Sequence, residues 1–261
     1  MIGIFDSGIG GLTVVRAIMD ELPDYDLVYF GDTARTPYGT KSSRTVIEYS
    51  LENTDFLIKS GARLIVMACN TASSVATEAI RKTFDIPLYE VVTPAVEMAI
   101  QTTRTGAIGV IGTRGTIASG IYERKIREIR PDARVYSAPC PLLVPLVEEG
   151  WLKRPETRMI VKKYLHPLKV RQIDTLILGC THYPVLKPII SDKIGKRVGI
   201  IDSSTALAHQ IRQFLDERPD LDADLSRTGA ARFFVSDITP QFRKTARTII
   251  KHDIDLIPVA L

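Results

Sequence analysis

The 261-residue chain has little cysteine and less tryptophan, three residues of the one and a single one of the other. It has no apolar run approaching the roughly 18 residues that a membrane span requires. Its opening, Met1-Ile-Gly-Ile-Phe-Asp6, enters a strand pattern directly, with no charged leader and no cleavage site. A cytoplasmic protein with reduced thiols is therefore expected, its cysteines placed for catalysis, metal binding or packing rather than for disulfides. The net charge of +4 comes from 34 basic and 30 acidic residues spread along the chain. The absence of a basic tract, or of aromatic residues interleaved with basic ones, argues against nucleic acid as the main partner. Low-complexity segments and long linkers are also missing. What is present, 45% hydrophobic and 25% charged residues, is the composition of an ordinary globular protein with core enough for one large or two modest domains.

Two of the three cysteines stand in matching settings. The segment Arg63-Leu-Ile-Val-Met-Ala-Cys69-Asn70-Thr71-Ala72-Ser73-Ser74 reads as a buried strand, Leu64 to Ala68, then a polar turn, then a helix. More than a hundred residues later, Asp174-Thr-Leu-Ile-Leu-Gly179-Cys180-Thr181-His182-Tyr183-Pro184 repeats the order of apolar strand, small residue, cysteine and helix start. A thiol at such a junction meets unpaired N–H groups and the positive end of a helix dipole, which favour its anion.

Around these stretches the chain alternates strand and helix. A strand at Ile2–Phe5, the glycine-rich turn Asp6-Ser7-Gly8-Ile9-Gly10-Gly11 and a helix over Leu12–Leu22 open it. A strand at 26–30, a punctuated loop at 31–40, a helix from Ser43 to about Ser60 and a strand over 88–92 follow. At Thr93-Pro94 the pattern restarts: Gly106-Ala-Ile-Gly-Val-Ile-Gly112-Thr113-Arg-Gly115-Thr116 resembles the opening segment. A strand at 134–137, an irregular stretch through Pro139, Pro141 and Pro145, a helix over 158–169 and a strand at 198–201 come next. Asp202 caps a helix to about Glu217, and the tail holds strands at 232–235 and 256–259 around a helix over 240–251. This pattern predicts an α/β fold of two similar parallel-sheet domains. The first spans residues 1–93 plus the returning tail, 207–261, and the second spans 94–206. Ligands bind outside the carboxyl ends of strands in such sheets, so a site is expected in the cleft between the two halves.

Two thiols on opposite sides of one pocket suit a single task well, which is removing a proton from one face of a carbon and returning one to the other. Each positioned acid or base contributes roughly 10²–10⁴-fold. His182 lies close enough in sequence to serve Cys180, and Asp6, also at a strand end of the first half, can stand near Cys69. The turn at 6–11 lacks the lysine of a nucleotide-binding loop and misses the G-x-G-x-x-G spacing, and its carboxylate would attract an ammonium rather than a phosphate. An amino acid fits that mouth better than a nucleotide. Cys69, Cys180 and His182 would give three zinc ligands, but no CxxC pair and no second close histidine support a metal. Cys140, between Pro139 and Pro141, reads as structural.

Asp-Ser-Gly-Ile-Gly-Gly at 6–11, Pro-Tyr-Gly at 37–39, Ala-Cys-Asn-Thr-Ala-Ser at 68–73 and Gly-Cys-Thr-His-Tyr-Pro at 179–184 resemble the motifs of bacterial glutamate racemases. These belong to the cofactor-independent aspartate/glutamate racemases. The resemblance implies interconversion of L- and D-glutamate without a cofactor, by Cys69 and Cys180 as acid/base thiols with Asp6 and His182 in support, and D-glutamate for peptidoglycan. It implies substrate contacts from Ser7, Tyr38, Gly39, Asn70, Thr71, Thr181 and His182, joined by Thr113 and Thr116, whose turn mirrors that at Ser7. Either Glu148 or Glu149 is expected to reach the site. His182 matches the glutamate branch, where aspartate racemases place Glu. A homodimer is expected. The alternatives are a racemase of aspartate or another acidic amino acid, and a binding module that lost catalysis or an interaction protein for a partner such as a DNA topoisomerase, a secondary role that the resemblance also implies.

Overall fold

Runs such as Ile2-Gly-Ile-Phe-Asp6 and Thr175-Leu-Ile-Leu-Gly179 are apolar at nearly every position, so neither face of the strand can be left in water; both are buried throughout. The computed structural model describes residues 1–251 and 253–260. Its first part runs β1 (Ile2–Asp6), α1 (Leu12–Glu21), β2 (Leu27–Gly31), α2 (Ser43–Lys59), β3 (Leu64–Met67), α3 (Asn70–Thr83), β4 (Leu88–Glu90) and α4 (Val92–Thr102). The next part runs β5 (Ala107–Gly112), α5 (Arg114–Ala118), α6 (Ile121–Ile129), β6 (Arg134–Pro139), α7 (Leu143–Glu148), α8 (Pro155–Val170), β7 (Thr175–Gly179), α9 (Lys187–Ile194), β8 (Gly199–Asp202) and α10 (Ser203–Asp216). The tail holds α11 (Pro219–Ala223), β9 (Ala231–Val235), α12 (Pro240–Ile250) and β10 (Leu256–Pro258).

The strands form two wholly parallel sheets, β10-β9-β2-β1-β3-β4 and β6-β5-β7-β8. The tail strands extend the first sheet through β9 beside β2. Without them the two sheets share one order, β2-β1-β3-β4 and β6-β5-β7-β8. In each, the chain lays its second strand on one side of the first and its third on the other. The crevice at that reversal is where a parallel sheet receives ligands. Asp6 ends β1 and Cys69 follows β3; Thr113 follows β5 and Cys180 follows β7. Both cysteines therefore sit at the equivalent crevice of their own sheet. Among the described residues no helix is long and apolar enough to cross a membrane.

Three local readings are corrected. The stretch at 88–92 stops being a strand at Glu90, and Val92 begins α4, with Pro94 inside its first turn. A first-turn proline forfeits no hydrogen bond, because that N–H has no partner within the helix anyway. The Glu90 carboxylate takes the free N–H groups instead, from Val92 at 2.5 Å and Thr93 at 3.0 Å. The stretch around Pro141 and Pro145, expected to be irregular, contains α7, again with its proline, Pro145, in the first turn. After Cys180 the chain forms a 3₁₀ turn, Tyr183–Leu186, before α9, because Pro184 and Pro188 allow no continuous α-helix from the cysteine onward.

Candidate active site

Glycines let the two crevices close on each other. A methyl group at Gly10 would lie 2.3 Å from Thr181 Oγ1 and 2.5 Å from His182 Nδ1, and one at Gly11 would lie 2.3 Å from Asp6 Cβ. The glycines of this turn thus make room for a neighbouring carboxylate and for two residues of the opposite sheet. Asp6 is fully buried. Its Oδ2 accepts hydrogen bonds from Gly8 N at 3.0 Å and Gly11 N at 2.9 Å, and its Oδ1 accepts one from Thr181 Oγ1 at 3.3 Å. Thr13 Oγ1 adds a second link between the halves, donating to Thr181 O at 3.0 Å.

A small cavity of about 20 Å³ lies between the sheets, lined by Ser7, Thr36, Pro37, Tyr38, Gly39, Cys69, Asn70, Thr71, Thr113, Val144, Cys180, Thr181 and His182. Both sulfurs are on its wall, buried, and not disulfide-bonded. Cys69 is the N-cap of α3. Its Sγ lies 3.6 Å from Ser7 Oγ. Burial and the neighbouring Asp6 charge push its thiol up to about 12, against the pull of the Ala72 N–H and the Ser7 hydroxyl. Cys180 has no α-helix of its own and faces an imidazole instead, with Sγ 3.8 Å from His182 Nδ1. His182 Nε2 lies 3.2 Å from Glu148 Oε1. Burial disfavours the charged ring, but the partners Cys180 and Glu148 outweigh it and lift His182 to about 10. Asp6 is pushed up by burial, with the His182 charge and the N–H groups of Gly11 and Gly8 opposing.

The polar wall is shared between the sheets. Thr71, Thr113 and Thr116 form a hydroxyl triangle with sides of 2.9, 3.0 and 3.2 Å. Gly39 packs against it so closely that a methyl group there would fall 2.6 Å from Thr113 Cβ. Tyr38 donates to the buried Asp32 carboxylate and receives Asn53 Nδ2 at 3.0 Å, while Arg35 Nε grips the same carboxylate at 2.7 Å. The Tyr38 hydroxyl thus anchors its loop, and the residue borders the cavity without offering a free phenol. Tyr122 donates to Asn70 Oδ1 at 2.5 Å and fixes that amide. Among the described residues, two buried side-chain polar atoms have no hydrogen-bond partner, Asn70 Nδ2 and Thr36 Oγ1. Both residues line this cavity, so the cavity is where partners for them can come from. No group of three or more acidic, histidine or cysteine side chains suited to a metal occurs among the described residues.

The Asp/Glu/Hydantoin racemase family model matches residues 12–211. The chain belongs to that family. A glutamate racemase of Persephonella marina is 50% identical to this racemase over 255 residues, covering 98% of this chain and 95% of the relative. The crystal structure of a glutamate racemase isoform from Bacillus anthracis superimposes with a TM-score of 0.94 at 36% identity, over 100% of this chain and 97% of the other. That of the Francisella tularensis enzyme, in complex with D-glutamate, gives 0.92 at 36% identity with the same coverage. These similarities place the racemase in the glutamate racemase branch, and it is an isomerase.

The cavity wall of the racemase gathers Cys69, Cys180, His182, Ser7, Tyr38, Gly39, Asn70, Thr71, Thr113 and Thr181. Asp6 and Thr116 stand one layer behind it, bonded to Thr181 and to Thr71. Of the two glutamates at 148 and 149, it is Glu148 that meets His182. Cys140 is buried away from the cavity, its Sγ 3.5 Å from Ala138 O. The site residues read from the sequence do not include Thr36, Pro37 or Val144. Thr36 carried one usable signal, its place directly before Pro-Tyr-Gly; Val144 carried none.

Proposed function

We propose that this racemase interconverts L- and D-glutamate without a cofactor, moving the α-proton between Cys69 and Cys180. The observation that carries the reading is that two buried, unpaired thiols from two sheets line one cavity, each with polar partners of its own. The thiolate on one face takes the proton from Cα, and the electron pair left behind spreads into the substrate carboxylate. The thiol on the other face then gives its proton to Cα, so the product has the opposite configuration and the two sulfurs have exchanged charge states. His182, held by Glu148 and protonated up to about pH 10, stabilises the Cys180 thiolate and can return a proton to it. In the empty site burial and, after it, the Asp6 charge keep Cys69 protonated, and the positive ammonium of a bound amino acid offsets the Asp6 charge. Asn70 Nδ2 and the hydroxyls of Ser7, Thr71, Thr113 and Thr181 supply hydrogen bonds to the substrate's carboxylates, with the backbone at Tyr38 and Gly39 beside them.

The free space of about 20 Å³ is on the scale of a single water site and far below the hundreds of Å³ of a ligand pocket. Glutamate therefore enters a more open form. We take residues 1–93 with 207–261 and residues 94–206 as the two domains that part. Both divisions fall inside helices, α4 and α10, which pack on each other and carry the chain between the sheets. D-Glutamate made in the cytoplasm would supply peptidoglycan. The test is circular dichroism of the pure protein with L-glutamate and no additive, run in ordinary and in heavy water. The ellipticity should decay to zero, and early D-product should carry deuterium while unreacted L-substrate stays protiated. Return of the original proton to the product would eliminate the two-thiol scheme, and equal turnover of aspartate would eliminate the assignment to glutamate.

A further inference from the structure

We infer that Gln241, on the tail helix α12, is a positioning residue for the acid/base chemistry at Cys180, acting across the cleft through Glu148 and His182. The inference rests on the function proposed above. Glu148 is the last residue of α7, so its carbonyl belongs to the end of a helix that has no intrahelical donor. Two side chains of α12 meet that carbonyl, Gln241 Nε2 at 2.9 Å and Thr245 Oγ1 at 3.4 Å. Gln241 Nε2 also reaches Thr245 Oγ1 at 3.3 Å, so the pair is tied together before it meets the carbonyl. Thr245 is buried, and next to Glu148 the chain turns through Gly150 at φ +71°, where a methyl group would stand 3.4 Å from Gln241 Nε2.

The clasp joins parts that are distant in the fold. α12 lies between β9 and β10, which belong to the first sheet, while α7 follows β6 of the second. The Glu148 side chain is 36% exposed, and among the described residues its carboxylate pairs with the ring of His182 while its carbonyl is anchored by α12. Fixing that backbone holds the carboxylate within hydrogen-bonding reach of Nε2, which in turn sets the ring against Cys180. Opening the cleft separates α12 from α7 and releases the anchor, so the Cys180 side is fully assembled only when the site is shut. The charged or titratable groups facing His182 are Cys180 on its own turn, Glu148 from α7 and Asp6 from the end of β1. α12 contributes only uncharged groups there; its Arg243, Lys244 and Arg247 are exposed.

The test is a titration of the His182 ring nitrogens by ¹⁵N NMR in the full-length protein, the signal assigned by its loss in His182→Gln. Gln241→Ala should lower the midpoint by about one pH unit, the scale of one hydrogen bond to a charged group. Thr245→Val should lower it in the same direction, and gives the reading if Gln241→Ala does not fold. Glu148→Gln should lower it further, and adding Gln241→Ala to that variant should shift nothing more, because the carboxylate being positioned is gone. In turnover, Gln241→Ala should cut kcat about tenfold and leave KM within about twofold. An unchanged midpoint in both α12 variants, alongside a lowered one in Glu148→Gln, would overturn the inference, as would full additivity of the double variant. The midpoint is read without substrate, so a failure to racemise glutamate would count against the proposed function alone.

Discussion

Replacing Gly10 by alanine adds one methyl group at the place where the two sheets come closest. Its Cβ would lie 2.3 Å from Thr181 Oγ1, 2.5 Å from His182 Nδ1 and 2.8 Å from His182 Cε1. These are not the far ends of flexible chains: both residues are buried, and the ring is held between Cys180 and Glu148. Thr181 and His182 must give way together, by about an ångström if ordinary contact is to return. Overpacking of this kind costs about 1–3 kcal/mol, a fall of roughly 2–12 °C in the melting temperature of a chain this long. Activity should suffer more. An ångström of misplacement in a reacting group costs on the order of 10²-fold, and the shift falls on the ring that serves Cys180 and on the hydroxyl that bonds Asp6. The donors at Asn70 and Thr71 stay where they are, so KM should move much less than kcat. Thermal melts and progress curves by circular dichroism measure both. A variant with kcat within twofold of the parent would refute the claim that the close approach at Gly10 sets the position of His182.

Cys69→Ser and Cys180→Ser should each reduce racemisation by about 10²–10⁴-fold, since a hydroxyl is too weak an acid for the role. Each variant should still eliminate a β-leaving group from one enantiomer only, and the two should choose opposite enantiomers; a shared preference would break the assignment of one thiol to each face. Thr36→Val removes a buried hydroxyl that has no partner, so the empty protein should be unchanged or up to about 1–3 kcal/mol more stable. Its KM for glutamate should nonetheless rise, and a less stable variant with an unaltered KM would show that the hydroxyl does not face substrate. Stability should decline toward alkaline pH. His182 keeps its proton to about 10 in the folded protein but loses it near 6.5 when unfolded, so its contribution is complete below 6.5 and disappears as pH approaches 10. The Cys69 thiol, held protonated to about 12 against an ordinary 9, adds a loss in the same direction above pH 9. Urea denaturation at pH 6, 8 and 10 tests this, and a flat or rising stability would contradict it.

The strands at Ile2, Leu64 and Leu176 were legible because strands buried on both faces leave uninterrupted apolar runs, and the paired cysteines because each directly follows such a run. Helices α4 and α7 were misread for one physical reason. The sequence shows a restart at Thr93-Pro94 and an irregular stretch through Pro145, whereas in a first turn proline gives up nothing, and no local pattern says which turn a proline will occupy. Glu148 could not be told from Glu149 for a different reason. What separates them is the end of α7 and the clasp from Gln241, a contact between residues 93 positions apart. The place of Thr36 directly before Pro-Tyr-Gly is legible, but its unpartnered hydroxyl belongs to the folded chain and no sequence displays it.

The two sulfurs are supported differently, Cys69 by a helix N-terminus and a hydroxyl, Cys180 by an imidazole and its carboxylate. The enzyme is thus lopsided, while its substrate and product are mirror images of equal free energy, so the overall equilibrium constant is one. Thermodynamics then requires kcat/KM to be identical in the two directions, whatever the protein does to either thiol. The imbalance between the sulfurs can appear only as paired changes, a larger kcat for one enantiomer matched by a proportionally larger KM. A substitution at His182 or Ser7 can move that balance point, but it can never give the catalyst a preferred direction.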